Sequence, residues 1–242
     1  YQMNLAIIPE SFQFFDSTLT RNSQAVFSID VCNKGRQESN SFSLTIYRSS
    51  ENEDLPDEEE IIWTADNIFP MLPDSICSIT GEFPANRSGR NHYRAIIEMS
   101  GDEYIGDNAA SADLLVGYPD ASVTLNEFLA YPAGDQVEFI EVINCSDEQV
   151  CFDEWWLGDN RSRVKLSATG KTAPGAYVVI APDSSFFDSF PTVLDWVIIP
   201  DKWPVLGNTF DNIILKDITG QTCLLYTSDA ADELDGVDLG GR

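Results

Sequence analysis

Short runs of alternating apolar and polar residues, separated by turn-forming residues, constrain the fold of this 242-residue chain more than any other feature. Phe42, Leu44 and Ile46 alternate with serine and threonine, and the alternation recurs in His92–Met99. A period of two is typical of a strand with one buried and one solvated face. Gly, Pro, Asn and Asp cluster between the runs at spacings of roughly 8–12 residues, as in β-sandwiches. Helical periodicity is almost absent, so the pattern predicts an all-β fold.

The strand-like runs fall into two groups that meet at Gly117–Asp120. The first group comprises Leu5–Ile8, Ala25–Cys32, Ser41–Tyr47, Ile61–Thr64, Ser75–Phe83, His92–Met99 and Ala109–Val116. The second comprises Ser122–Phe128, Val137–Asn144, Val150–Gly158, Arg163–Leu166, Ala176–Ile180, Val193–Ile199 and Asn212–Lys216, with a hairpin turn expected at Asp217–Gly220. Glycine and proline at the junction predict a short, semi-rigid linker. We therefore expect two tandem β-sandwiches, at residues 1–117 and 121–222.

The charge of the chain excludes one class of partner. The net charge is −26, from 40 acidic and 14 basic residues, and such a surface repels phosphate backbones, so we expect no direct contact with nucleic acid. No apolar run approaches the roughly 18 residues needed to cross a bilayer, so we expect no membrane insertion. The chain does not begin with a secretion leader, and we expect any such signal to have been removed or to lie outside this segment.

Residues 223–242 differ in kind from the rest of the chain. Written back into codons, Cys223–Glu233 resembles the transposon-end adapter ligated to fragments for shotgun sequencing. Leu234–Gly236 fill an index-length gap, and Val237–Arg242 resembles the flow-cell primer that follows such an index. We expect this segment to be an adapter-derived tail on a metagenomic fragment, the alternative being a natural acidic tail. Its apolar residues Cys223–Tyr226 are able to occupy the place of a last strand.

Without Cys223, four cysteines remain: Cys32, Cys77, Cys145 and Cys151. None forms a C-x-x-C pair and the chain has one histidine, which argues against a structural zinc site. Cys145 and Cys151 flank five residues between two strand-like runs. If those runs form a hairpin, the two side chains face each other at disulfide distance. Strand parity points Cys32 outward and Cys77 inward, so we expect these two to be unpaired.

The second half of the chain resembles the lamin tail domain. The resemblance lies in Val123–Pro132, Glu138–Asn144, Trp155–Leu157, Pro174–Ile180 and Asp211–Gly220, and covers about residues 122–221. It implies an immunoglobulin-like β-sandwich of the kind found in nuclear lamins and in bacterial secreted proteins. In those proteins the domain is a binding or spacer module, often beside adhesion-type domains or hydrolases.

Two departures from that family are visible: Cys145 stands where bacterial copies usually have proline, and Glu154 stands where glycine often precedes the tryptophan. The residues themselves agree with a sandwich. Phe139 and Trp155 are large apolar groups that we expect to anchor the core. Alternation along the strand then predicts that Trp156 points the opposite way.

The first half resembles the bacterial cell-adhesion-related immunoglobulin-like domain over about residues 3–117. The matching segments are Val26–Gly35, Ser43–Tyr47 and Gly106–Leu115. In that family a strand ends in Asn-x-Gly and the last strand follows a turn that contains asparagine. The resemblance implies an adhesion-type immunoglobulin-like sandwich.

No combination of residues predicts an active site. His92 lies in a strand-like run between arginines, and no G-x-S-x-G sequence supplies a nucleophile. Glu138 and Glu141 fall on opposite faces of one strand, so they are not a pair that shares a substrate. We therefore predict that the chain is not an enzyme.

Acidic loops offer weak candidates for calcium. Glu51–Glu60 contains seven acids in ten positions, among them Asp54 and Asp57, and a second acidic turn contains Asp102 and Asp107. The spacing of an EF-hand loop is absent, and mutual repulsion favours the alternative of a solvated loop. No other cofactor is indicated.

Trp156 and Trp203 are candidates for an exposed aromatic surface that binds glycans or peptides, with core packing as the alternative. The sequence as a whole predicts a non-catalytic binding or spacer module of a secreted or cell-surface bacterial protein, acting in adhesion or in presentation of another domain. Its protein or glycan ligand is not identified, and we expect monomeric modules within a longer chain. The alternatives are an accessory region of a larger extracellular hydrolase, such as a nuclease or protease, and a calcium-stiffened stalk.

Overall fold

A computed structural model of the chain describes residues 1–49, 59–129, 132, 137–159, 162–191, 196–204 and 212–227. These residues form seventeen β-strands, two short 3₁₀ turns and the single-turn helix α1 (Phe186–Ser189). No helix among them is both long and apolar enough to cross a membrane. The chain divides into two compact units, Tyr1–Val116 and Gly117–Arg242, and each has a hydrophobic core of its own. The prediction of an all-β fold with two β-sandwiches is confirmed.

In the first unit, a four-stranded sheet and a five-stranded sheet enclose the core. The four-stranded sheet contains β1 (Leu5–Ile7), β2 (Gln13–Phe14), β4 (Gln24–Asn33) and β7 (Ile76–Pro84). The five-stranded sheet has the spatial order β3 (Thr18–Thr20), β9 (Ala109–Gly117), β8 (Gly89–Met99), β5 (Phe42–Arg48) and β6 (Glu60–Ile68). One side of β4 pairs with β7, and the other pairs with β1 and then β2, which a 3₁₀ turn at Pro9–Ser11 separates.

Strand β4 shows how alternation builds this core. Its residues at every second position, from Ala25 to Asn33, are buried, and those between them are half-buried or exposed. Phe27 packs edge-on against Trp63 with 5.1 Å between the ring centroids. A Cβ atom at Gly81 would lie 2.6 Å from the Phe27 ring and 2.8 Å from the Trp63 ring, so only glycine leaves room for both.

In the second unit, two four-stranded sheets enclose the core. One has the order β10 (Val123–Leu129), β11 (Phe139–Asn144), β14 (Tyr177–Ile180) and β15 (Trp196–Ile198), with β15 parallel to β14. The other has the order β13 (Arg163–Lys165), β12 (Trp156–Gly158), β16 (Asn212–Lys216) and β17 (Thr222–Thr227). Trp155 is fully buried in the core, as expected. Phe139 is buried in a separate apolar cluster with Phe186 of α1 instead.

The segment Gly117–Asp120 is tied into the second unit. Tyr118 is 2% exposed, and its ring centroid lies 5.2 Å from that of Trp155. Its hydroxyl accepts a hydrogen bond from the backbone N–H of Cys151 at 3.1 Å, and its own backbone N–H donates to Asp217 Oδ2 at 2.8 Å. Burial raises the pKa of the Tyr118 hydroxyl. The expected linker therefore supplies a core residue to the unit that follows it.

The last strand of the second unit is formed by residues that resemble translated adapter. Antiparallel pairing joins Ile213 to Tyr226 and Leu215 to Leu224. Cys223 and Leu224 are buried in the core, and the hairpin turn expected at Asp217–Gly220 connects β16 to β17. Residues 228–242 of the tail lie outside the described residues. The apolar run thus occupies the place of the last strand, as its composition allowed.

The hairpin on which the Cys145–Cys151 bridge depended does not form, and that prediction is wrong. Strand β11 ends at Asn144, whose side chain holds the following turn by accepting from the N–H of Ser146 at 2.9 Å. Val150 then pairs with Thr172 rather than with β11, through N–H···O bonds of 2.9 and 2.8 Å. Both cysteines are free thiols, Cys145 exposed and Cys151 half-buried.

The other two cysteines follow strand parity. Val31 faces Cys77 and Cys32 faces Ile76 across β4 and β7, so Cys32 and Cys77 are one position out of register. Cys32 lies on the outer face of β4, and Cys77 packs against the core. Side chains on opposite faces do not reach each other.

Thiol labelling should follow this burial. We expect iodoacetamide at about pH 8 to modify exposed Cys145 first, because only thiolates react. Burial raises the pKa of the Cys32 and Cys151 thiols, which lowers their thiolate fraction and slows their reaction. Burial raises the pKa of Cys223 to about 12, so this thiol should react only after unfolding. Peptide mass spectrometry gives the order, and labelling of Cys223 as fast as Cys145 would contradict its burial in β17.

Candidate functional site

The histidine of the chain lies in a surface ion pair. His92 Nδ1 is 2.6 Å from Asp113 Oδ1, and both side chains are about half exposed on neighbouring strands β8 and β9. Among the described residues, no hydrogen bond connects His92 to a hydroxyl or thiol that an acid–base pair could activate. The described residues also contain no group of three or more His, Cys, Asp or Glu side chains arranged to hold a metal ion.

Two of the calcium candidates, Asp54 and Asp57, lie outside the described residues. A third, Asp102, closes the turn between β8 and β9. Its Oδ1 accepts from the backbone N–H of Tyr104 at 3.0 Å, and its Oδ2 accepts from the N–H of Leu5 at 3.3 Å. These bonds hold the first strand against the turn, which is a structural use of the carboxylate.

The fourth candidate, Asp107, makes an ion pair. Its Oδ2 is 3.1 Å from Lys34 Nζ, while the neighbouring Asn108 donates from Nδ2 to Asp102 Oδ2 at 3.2 Å. A lysine ammonium already supplies positive charge here, so the geometry favours an internal bond network over an ion site. Calcium binding stays a prediction for this turn.

The two tryptophans proposed as one aromatic surface occupy different settings. Trp203 is half-buried against the core of the second unit, and its indole N–H donates to Glu138 Oε2 at 2.6 Å. Both its ring and its polar atom therefore have partners within the fold. Trp156 lies on the outer face of β12, because its neighbours Trp155 and Leu157 point into the core. Trp156 therefore points away from the core, opposite to Trp155, as alternation predicted.

Trp156 forms one wall of a shallow depression on the sheet β13–β12–β16–β17. The depression has a volume of about 400 Å³, and all of its lining residues precede residue 223. We call it the β12 groove. It is lined by Trp156, Gly158, Asp159, Ser162, Arg163, Ile214 and Lys216.

Strand register brings these residues together from distant parts of the sequence. Trp156 faces Lys165 on one side and Lys216 on the other, and Gly158 faces Arg163 and Ile214 in the same way. Leu157, Val164 and Leu215, at the positions between them, pack into the core. The outward positions of the three strands therefore carry an aromatic ring next to several cations.

Glycine is required at the floor of the groove. A Cβ atom at Gly158 would lie 2.1 Å from the carbonyl oxygen of Ser162 and 2.6 Å from the Cα of Arg163. The absence of a side chain lets the turn after β12 close tightly and leaves bare backbone between Trp156 and Arg163.

The groove concentrates positive charge on an acidic protein. The Arg163 guanidinium carbon lies 5.4 Å from the centroid of the Trp156 ring, within the range of a cation–π contact. Lys216 lines the same depression from β16. Asp159, the acid of the groove, accepts from the N–H and the hydroxyl of Ser162 through Oδ1. An aromatic face beside hydrogen-bonding cations is suited to binding a ligand.

Sequence reasoning found Trp156 and missed Gly158, Arg163 and Lys216. The available signal was the alternation of Arg163 and Lys165 about Val164, and of Ile214 and Lys216 about Leu215, which marks them as outward. The missing information was that β12 lies between β13 and β16. Nothing in the local pattern identifies those neighbours.

Comparison with known proteins assigns no family. No family model matches the chain, and no curated protein matches it. Among solved structures, it is similar to the CARDB domain of a Pyrococcus furiosus protein, determined in complex with di-metal ions, at 15% identity and a TM-score of 0.36, over 47% of this chain and 88% of that chain.

Two further solved structures show a similar degree of likeness. The sporulation control protein Spo0M of Bacillus subtilis is 14% identical with a TM-score of 0.33, over 60% of this chain and 69% of that chain. A β-glucosidase of Listeria innocua is 9% identical with a TM-score of 0.35, over 48% of this chain and 16% of that chain. None of these similarities assigns an activity to this chain.

Proposed function

We propose that this chain is a non-catalytic binding and spacer module of a secreted or cell-surface bacterial protein. The observation that carries the proposal is the β12 groove, where Trp156 and Arg163 face solvent from a sheet whose other face is core. Aromatic and arginine side chains at the surface of a rigid sandwich are typical of binding sites. The strongly acidic composition is compatible with a salty exterior.

We propose further that residues 1–117 are an adhesion-type immunoglobulin-like domain and residues 121–222 a lamin tail domain. The motifs quoted for each resemblance follow one another in order along the chain. Residues 223–242 are in this proposal an adapter-derived tail. The natural protein would then supply its own residues at the position of β17, beside β16.

Glycan binding by the groove tests this function. The full chain, applied to an array of neutral and acidic bacterial and plant oligosaccharides, should bind at least one class, and Trp156→Ala should abolish that binding. Loss of the ring removes the apolar wall and the support of Arg163. Tyr177→Ala is a matched control, because Tyr177 is an exposed aromatic on the opposite sheet and should not affect binding. An array without any bound glycan would rule out the groove as a glycan site, and equal binding by Trp156→Ala would rule it out as the ligand site.

A further inference from the structure

We infer that the β12 groove is selective for glycans that carry carboxylates, such as uronic acid oligomers. This inference rests on the proposed function and specifies the ligand class of the same site. It follows from the charges of the groove, the geometry of Arg163, and the pairing of the strands beneath it. Each of these is a feature of the described residues.

The first observation is that no described carboxylate forms an ion pair with the two cations of the groove. Several described basic residues elsewhere on this acidic chain pair with carboxylates, among them Lys165 with Glu154 at 2.6 Å and Arg48 with Glu60. Arg163 and Lys216 form no ion pair with any acidic residue that the structure describes. In a chain with 40 acids and 14 bases, two such cations in one depression mark a site for an external anion.

The second observation is the position of the guanidinium. The Arg163 guanidinium carbon lies 5.4 Å from the centroid of the Trp156 ring, and this cation–π contact favours a position of the side chain beside the ring. The planar fork of arginine matches a carboxylate through two parallel hydrogen bonds. Lys216 adds a second charge from the neighbouring strand, on the other side of Trp156.

The third observation concerns the acid of the groove. Asp159 is directed towards Ser162, whose N–H and hydroxyl both donate to its Oδ1. Hydrogen bonds of this kind stabilise a carboxylate and hold it at the turn. The Ser162 backbone and side chain thus hold Asp159 at the turn, while Arg163 and Lys216 line the same groove.

The strand pairing favours a sugar over a peptide. Strand β12 pairs with β13 on one side and with β16 on the other, so its backbone groups are used by the sheet. A peptide that binds by strand addition needs an unpaired strand edge, which the floor of this groove does not offer. Strand β13 is the edge of this sheet, but on the floor itself recognition comes from side chains, and an aromatic face beside charged hydrogen-bond donors suits a sugar ring with a carboxylate.

The net charge of −26 limits the length of the ligand. An extended polyanion would pass from the two cations onto a surface dominated by carboxylates, where repulsion extends over roughly 8 Å at physiological salt. A short acidic oligosaccharide keeps a larger share of its charges near the two cations. Nucleic acid is disfavoured by the same argument.

Calorimetric titration of the full chain with hexagalacturonate, maltohexaose and a hexaglutamate peptide tests the inference. We expect hexagalacturonate to bind at least about tenfold more tightly than the other two probes. Arg163→Gln and Lys216→Gln should each weaken this binding roughly tenfold, the usual effect of losing a charge-assisted hydrogen bond. Lys165→Gln is the matched control: it removes a cation from the same sheet face, but one that Glu154 already pairs, so binding should stay within about twofold.

The outcomes separate the inference from the function on which it rests. Equal affinity for both hexasaccharides, abolished by Trp156→Ala, would overturn the selectivity and retain the function. Hexaglutamate bound as tightly as hexagalacturonate would overturn the choice of a glycan. If Trp156→Ala leaves the affinity for hexagalacturonate unchanged, both the selectivity and the proposed function of the groove are overturned. Unfolding curves of the variants show that each variant folds, and we expect each free energy of unfolding to lie within about 1 kcal/mol of the parent value.

Discussion

Trp155→Ala is expected to destabilise the second unit by roughly 3–5 kcal/mol, the usual cost of removing a buried large aromatic side chain. Trp155 is fully buried, and its ring contacts Phe152 and Tyr118 with centroid distances of 4.9 and 5.2 Å. Truncation would leave a cavity between the two sheets that the surrounding β-sandwich fills only in part. Chemical denaturation followed by far-UV circular dichroism, with hydrogen exchange of β12 and β16, measures the loss.

The adjacent tryptophan provides the matched control. Trp156 belongs to the same segment but lies on the outer face of the sheet. Trp156→Ala should therefore lower the free energy of unfolding by less than about 1 kcal/mol. Trp155→Phe should cost far less than Trp155→Ala, because the indole N–H has no hydrogen-bond partner among the described residues and its removal leaves nothing unpaired. Equal destabilisation by Trp155→Ala and Trp156→Ala would contradict the assignment of the two faces.

Asp217→Ala is expected to lower the free energy of unfolding by about 3 kcal/mol or more, because it removes a side chain that accepts hydrogen bonds from several donors. The Asp217 carboxylate is fully buried, and its Oδ1 accepts from the backbone N–H groups of Thr219 and Gln221 at 2.9 and 3.0 Å. Its Oδ2 accepts from the N–H of Tyr118 at 2.8 Å. One side chain therefore holds both the β16–β17 turn and the segment that enters the unit, and alanine would leave their N–H groups unpaired.

The isosteric variant separates the two roles of this carboxylate. Asp217→Asn keeps one oxygen for the turn but directs an N–H group towards Tyr118. Its loss in the free energy of unfolding should therefore be smaller than that of Asp217→Ala but not zero. Asp188→Ala, at an exposed acid in α1, is the control and should change the free energy of unfolding by less than about 0.5 kcal/mol. If Asp217→Ala leaves the free energy of unfolding unchanged, water replaces these hydrogen bonds and the prediction is wrong.

Most strands could be predicted from the sequence, because their period of two is strong. All seven runs of the first half correspond to strands β1 and β4 to β9. Strands β2 and β3, of two and three residues, were missed because they are too short to show a period. In the second half, Val150–Gly158 was expected as one strand, yet only Trp156–Gly158 is β12. A turn at Phe152–Trp155, with Glu154 at a φ of 62°, breaks the run.

The candidate site could be predicted only in part. Alternation identified Trp156 as outward, and this needed no knowledge of its neighbours. Grouping it with Trp203 required knowing which elements are adjacent, and the structure places Trp203 against the core with Glu138. The cations of the groove come from β13 and β16, and β16 is more than fifty positions along the chain from β12.

The sequence by itself determined which side chains face inward and which face outward, as for Trp155 and Trp156, because successive residues of a strand point to opposite faces whatever the strand pairs with. Only the tertiary structure decided the partners: Val150 with Thr172 rather than with β11, and Lys165 and Lys216 on either side of Trp156. The reason is physical. Side-chain direction follows from local backbone geometry, whereas strand neighbours are selected by the packing of the whole core, which no short segment encodes.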